Sequence, residues 1–148
     1  MIELGPLFSP TWKGKPPRLS SSDRELWQAW MKIHAQEYDH FFYDVRLMAD
    51  TEIPSTIEPE FVHMYKVNRA RRIDSVAVKN NTALIIEYRD YAGLSAIGQI
   101  LGYWALMMAE NPFNKEIKVL LVTNAMEENV SRALFVASIP WEIVETEL

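Results

Sequence analysis

Cysteine is absent from the 148 residues, which excludes disulfides, thiolate metal centres and cysteine nucleophiles. No apolar run reaches the roughly 18 residues that a membrane span needs. Met1 to Lys13 lack the charged-then-apolar pattern of a signal peptide, so a cytoplasmic location is expected. Neither a Gly-rich phosphate loop nor a G-x-S-x-G elbow occurs, which disfavours nucleotide hydrolases of that type and serine hydrolases. His34, His40 and His63 are scattered without HExxH-type spacing and read as packing or surface residues. Positive charge is also scarce. The net charge is −5, from 15 Lys and Arg against 20 Asp and Glu. That argues against a generic basic DNA-coating surface. Internal repeats and low-complexity tracts are missing too.

What is present describes one globular domain. Hydrophobic residues make up 49% and charged residues 24%, a balance far from that of disordered chains. The length suits one domain with a core around a single sheet. The few cations cluster, with Lys66, Arg69, Arg71 and Arg72 in one group and Lys13, Lys15 and Arg18 in another. The ordinary expectation for short basic runs is a solvated loop.

Residues 1–20 carry Pro6, Pro10, Pro16 and Pro17 with Gly5 and Gly14, and read as an extended arm. The arm is expected to pack on its own domain or on a partner. Trp12 would be its natural anchor in a partner's groove. Residues 21–148 form the domain. Ser20–Ser22 offer N-cap hydroxyls, and Asp23 and Glu25 suit a first helical turn. Leu26, Trp27, Trp30 and Ile33 then predict a helix over about 22–37. Residues 40–48 are aromatic and β-branched enough for a strand, and 49–60 form a loop with Pro54 and Pro59.

Two strands follow, one ending near Lys79 and one over Thr82–Arg89, joined by a turn at Asn80-Asn81. In the first, Ile73, Ser75 and Ala77 are expected on one face and Asp74, Val76 and Val78 on the other. Ala83-Leu84-Ile85-Ile86 is continuously apolar, as in a strand buried on both faces. A helix is predicted over about 94–109, stopped by Asn111-Pro112. Ile117–Thr123 should be a strand, 127–137 a short helix and 141–145 a last strand. Trp27, Trp30, Trp104, Met107 and Met108 recur at helical spacing and read as core. The order is α-β-β-β-α-β-α-β, an α/β fold with a mixed central sheet flanked by helices.

One constellation could carry chemistry. Glu87 and Arg89 are two apart on a strand and share a face. Pairing about Asn80-Asn81 brings Asp74 near them across the ladder. Mg²⁺ is held by one or two carboxylates together with phosphate oxygens and water. At such a strand end an ion can polarise a phosphoryl oxygen and lower the pKa of bound water. A nearby cation can position that water or neutralise developing charge. The plainer reading is a structural ion pair across a hairpin.

Asp74, then twelve residues, then Glu87-Tyr88-Arg89 resembles the D…(D/E)-x-K core of the PD-(D/E)XK nuclease superfamily. Gln99 and Tyr103, one helical turn apart, resemble the Q-x-x-x-Y motif of its RecB-like members. Alone, those two would read as an ordinary half-buried helix face. The family's α-β-β-β-α-β restriction-endonuclease-like core matches residues 22–123. Two positions depart from the pattern: Ile73 stands for proline and Arg89 for lysine. Arginine is always protonated and cannot act as a base, but it can pair a phosphate or carboxylate.

The resemblance implies a hydrolase acting on DNA, an endo- or exonuclease if active. It implies Mg²⁺ or Mn²⁺ held by Asp74 and Glu87, with Arg89, Gln99 and Tyr103 completing the catalytic set. It further implies an acid from the first helix, with Glu25 and Glu37 both open. Arg69, Arg71 and Arg72 are expected as nucleic-acid contacts. The alternative is a degenerate active site in a non-catalytic structural or adaptor subunit. Such a subunit would meet a protein partner or another copy through the N-terminal arm, for example in a phage particle, which would place it in a virion.

Overall fold

The computed structural model describes residues 1–48 and 53–146. Positions 49–52, the start of the expected loop over 49–60, lie outside the described residues. The strands found are β1 (Ile2–Glu3), β2 (His40–Leu47), β3 (Arg71–Lys79), β4 (Thr82–Arg89), β5 (Glu116–Thr123) and β6 (Trp141–Ile143). They form one sheet in sequential order from β1 to β6. β1 to β4 pair antiparallel, while β4, β5 and β6 run parallel. In the antiparallel half, a tight turn at Asn80-Asn81 joins β3 to β4, whereas residues 4–39 and 48–70 make long connections from β1 to β2 and from β2 to β3. A parallel neighbour needs a crossover, supplied by α3 (Leu94–Glu110) between β4 and β5 and by α4 (Val130–Val136) between β5 and β6. The fold is thus a mixed α/β sheet flanked by helices.

Local chemistry explains the element ends. The Ser20 hydroxyl accepts the Asp23 backbone N–H at 3.2 Å and caps α1 (Ser21–His34), satisfying a donor that the first turn leaves free. Asn80 takes a positive φ of 46° in the β3–β4 turn, a conformation Asn tolerates. Asn111, at φ 37°, ends α3 in the left-handed region just before Pro112,.

The apolar run of β4 divides between two cores. Ala83 and Ile85 join Ala96, Ile100 and Met107 of α3 and Val130 and Leu134 of α4. Leu84, Ile86 and Tyr88 join Leu26, Trp27 and Trp30 of α1. Alternation along a strand bound on both faces requires this division. Of the expected aromatic and methionine stripe, Trp27, Trp30 and Met107 are core, whereas Met108 is 60% exposed.

Three features differ from the sequence reading. Ile73 packs with Val76 and Val78, not on the face of Ala77. The adjoining strand shifts in the same way, since Phe42, Val45 and Leu47 share one core while Asp44 between them has φ 51°. Strict alternation breaks at Asp44 and Asp74. Second, a helix, α2 (Val62–Arg69), precedes β3. None of its residues is buried, and its eight residues give only about two turns in which a period can show,.

Third, the arm belongs to this chain's own packing. β1 pairs with β2, and Phe8 exchanges backbone hydrogen bonds of 2.8 and 2.9 Å with Phe41. The Trp12 ring lies 4.4 Å from Phe8, 5.5 Å from Tyr43 and 6.2 Å from Trp27, centroid to centroid. It folds back over Gly14 so closely that a Cβ there would overlap the indole. Trp12, expected as an anchor in a partner's groove, therefore packs on its own domain.

Candidate functional site

The β3–β4 ladder has its last paired residues at Ser75 and Ile86. One residue further, the strands separate enough for Asp74 to turn its carboxylate inward, and Asp74 Oδ2 accepts the Tyr88 backbone N–H at 2.9 Å. Side chains alternate along β4, so Glu87 and Arg89 both face α3. Arg89 Nη2 donates to Glu87 Oε1 at 3.2 Å and also to Gln99 Oε1. Tyr103, one turn beyond Gln99, is buried. The structure thus gathers Asp74, Glu87, Arg89, Gln99 and Tyr103 at the C-terminal end of β4.

The electrostatics of this cluster are unusual. Burial raises the Glu87 carboxyl above its ordinary pKa, and the charge of Asp74 raises it further; the Arg89 hydrogen bond and charge oppose this without cancelling it. Burial likewise raises Asp74, with the charges of Asp23 and Asp44 adding, while the Tyr88 hydrogen bond and Arg89 pull the other way. The cause is common to both groups, since a carboxylate loses hydration in a closed site and repels its neighbour. Tyr103 is pushed up to about 12, first by burial and then by the charges of Glu87 and Asp74.

A simple structural ion pair would satisfy its carboxylate. Here Glu87 Oε2 is buried without a hydrogen-bond partner, and Asp74 stands outside the Arg89 pair among the described residues. Groups of three or more His, Asp or Glu placed to hold a metal are absent among the described residues. Mg²⁺ requires only one or two carboxylates, because it retains several waters. A buried, unpartnered oxygen on Glu87 beside a second raised carboxyl is compatible with such an ion, and Asp74 and Glu87 are the residues that would hold it.

Of the acids near the start of the domain, neither Glu25 nor Glu37 is among those whose charge acts on Asp74 and Glu87. Glu37 contacts His34 at the far end of α1. Glu25 lines a groove with Ile143 and Glu145 beyond β6. Asp23 instead reaches the site: its charge acts on both Asp74 and Glu87, and its Oδ1 accepts the Asp90 N–H at 3.3 Å. In the sequence Asp23 looks like a first-turn helix residue, and that role conceals the other. Asp44 was also missed, because nothing local marks a face change inside β2.

The three expected nucleic-acid arginines separate. Arg72 is engaged, donating to Asp44 Oδ2 at 2.7 Å and to the Val67 carbonyl at 3.2 Å. Arg69 lies over the Tyr65 ring at 4.6 Å. Arg71 is exposed, and its charge acts on Tyr103.

No family model matches the sequence, nor does any curated protein. Solved structures do match. A chain of the EndoMS–dsDNA complex aligns over 93% of this chain and 50% of its own, at 13% identity and a TM-score of 0.54. A repair endonuclease from Pyrococcus abyssi aligns over 53% of this chain and 35% of its own, at 17% identity and a TM-score of 0.45. A protein of unknown function aligns over 81% and 56%, at 12% identity and a TM-score of 0.49. The chain spans between about a third and just over half the length of these structures. The likeness to the EndoMS chain shows that the fold is nuclease-like.

Proposed function

We propose that this chain is a PD-(D/E)XK nuclease-like protein whose Asp74–Glu87 site takes Mg²⁺ or Mn²⁺, and whose phosphodiesterase activity on DNA is weakened by Arg89. The observation that carries the reading is the pair of raised carboxyls, one with a buried unpartnered oxygen, at the end of the hairpin strand. DNA is favoured as substrate because the EndoMS chain that aligns over 93% of this one comes from a complex with double-stranded DNA.

When bound, the ion would polarise a phosphoryl oxygen and acidify a water. The chain's own residues do the rest. Tyr88 N–H orients Asp74, and Gln99 and Glu87 hold the Arg89 guanidinium in place. Arg89 brings a fixed positive charge for the charge developing on phosphate. It cannot accept a proton from water, where a lysine amine could. That difference predicts slow turnover rather than an altered substrate class.

The second reading is a non-catalytic structural or adaptor subunit, and one observation favours it: Arg89 already occupies Glu87 and Gln99 together. Titration of Mg²⁺ and Mn²⁺ by calorimetry into wild type, Arg89→Lys and Asp74→Ala, with plasmid nicking on the same samples, separates the two. Binding and slow nicking by wild type, lost in Asp74→Ala, supports the enzyme. Binding that appears only in Arg89→Lys makes the arginine a plug. Absence of binding in every variant supports the adaptor.

A further inference from the structure

One of the two cation clusters of this acidic chain leads into the strand that carries Asp74. Between Val62 and Arg72 there are Lys66, Arg69, Arg71 and Arg72 with His63 and not one acid. Helix α2 is polarised: Glu58 and Glu60 precede it, and Lys66 and Arg69 occupy its last turn. That arrangement suits the helix dipole, but the dipole accounts for neither Arg71 nor the position of the basic end. The last turn leads through Ala70 directly into β3, three residues before Asp74.

Arg72 explains why α2 stays there. Its guanidinium bridges Asp44 on β2 and the Val67 carbonyl of α2, and it is largely buried, at 15% side-chain exposure. It fastens the helix to the sheet and is not available to a ligand. Arg69 and Arg71 are exposed and Lys66 is half-buried. Among the described residues the ion pairs of this region are Arg72–Asp44, Arg46–Glu3 and His63–Glu3; Lys66, Arg69 and Arg71 enter none of them. Tyr65 underlies Arg69 and orders it, which lowers the entropy lost when it meets an anion. Arg71 links this surface to the site, being near enough to Tyr103 for its charge to be felt.

We infer that α2 and Arg71 form the surface on which a DNA duplex docks, with Lys66, Arg69 and Arg71 contacting successive backbone phosphates beside the Asp74–Glu87 site. The inference rests on the reading of that site as one for DNA. Three cations that enter no ion pair among the described residues complement a polyanion, and the net charge of −5 disfavours a generic DNA-coating surface. Contacts of this kind position a duplex without reading its sequence.

The test is fluorescence anisotropy of a labelled blunt duplex with the full chain in EDTA, across a potassium chloride series. The variants are the triple Lys66→Gln/Arg69→Gln/Arg71→Gln and, on another part of the surface, Lys118→Gln/Arg132→Gln. Circular-dichroism melts check that each folds. Each phosphate contact contributes about 0.9 to the slope of log affinity against log salt. The triple variant should therefore lose about 2.7 from that slope and bind at least tenfold more weakly in low salt, with the control near wild type. An unchanged slope in the triple, an equal loss in the control, or no duplex binding by wild type overturns the inference. Calorimetry with Mg²⁺ on the triple separates this failure from that of the site. Metal binding retained while duplex binding never depended on α2 refutes the docking surface alone. Duplex binding through α2 without metal binding supports the surface and refutes the metal site.

Discussion

Asp74 Oδ2 accepts the backbone N–H of Tyr88 at 2.9 Å, where the ladder between their strands ends. The bond replaces a strand-to-strand contact with a strand-to-carboxylate contact. It keeps Asp74 near Glu87 although the charge of Asp74 disfavours ionisation of Glu87. The site is thus held by backbone geometry against its own electrostatics.

That opposition gives the metal-free protein a pH dependence. Both carboxyls have folded-state pKa values raised by burial, so the folded chain keeps protons that the unfolded chain has released. Stability is full below the ordinary carboxylate range and falls as pH rises through neutral towards the raised values. A tenfold difference in proton affinity between the folded and unfolded chain corresponds to about 1.4 kcal/mol, and each kcal/mol to about 2–4 °C in a chain of this size. Glu87→Gln, which mimics the protonated group, should melt a few degrees above wild type near pH ~8 in EDTA. The gap should close towards about pH 4.5. A wild type more stable than the variant at the higher pH would show that the ionised form is preferred.

Tyr88 is fully buried, and its hydroxyl bonds to the Ser75 Oγ at 3.0 Å. Removing one partner strands the other in an apolar core, at a cost of about 1–3 kcal/mol. Tyr88→Phe and Ser75→Ala should each lower the urea midpoint, whereas the double variant should lose clearly less than the sum of the two. Strict additivity would mean that the hydroxyls do not depend on each other.

His34 stacks on Trp30 and lies between Glu142 of β6, at 2.8 Å, and Glu37. Burial alone would lower its pKa, but the hydrogen bonds and charges of Glu142 and Glu37 outweigh it and raise the value. The imidazolium therefore ties α1 to the sheet edge below the ordinary histidine pKa, and the tie is lost as pH rises through the raised one. The difference in melting temperature between wild type and His34→Gln should be largest near pH ~6 and small near pH ~9. A constant difference would assign His34 to packing alone.

The arm makes a further expectation. Trp12 rests on Phe8, Trp27 and Tyr43, and Gly14 leaves room for the ring. Trp12→Ala should destabilise by about 2 kcal/mol, near the value for burying one large apolar side chain. Gly14→Ala should displace the indole and shift its fluorescence. Deleting residues 1–19 uncovers Phe41 and Tyr43, so the shortened chain should melt earlier than wild type. An unchanged melt would return the arm to the role of a partner-binding extension.

The elements that could be read from the sequence are those with their own periodicity. Thr82–Arg89 has an apolar run bounded by a turn and a charge, and it is a strand with those ends. The run from Leu94 carries a helical pattern closed by Asn111-Pro112. Helix α2 has none of its residues buried, and at eight residues it is too short for its period to stand out. Residues Ile2–Glu3 are too short for any pattern, and only β2 makes them a strand.

Candidate site residues divide in the same way. Glu87 and Arg89 share a face because strand side chains alternate, and Gln99 and Tyr103 because helix side chains recur after four. These relationships are local, and covalent geometry alone imposes them. The approach of Asp23 to Asp74, the engagement of Arg72 by Asp44 and the folding of Trp12 onto Tyr43 join residues from 28 to 51 positions apart. No period in the chain encodes them. They arise where the start of α1 meets the middles of β2 and β3, and only the packing of those elements around one sheet decided which acid stands beside the site and which arginine is left to face solvent.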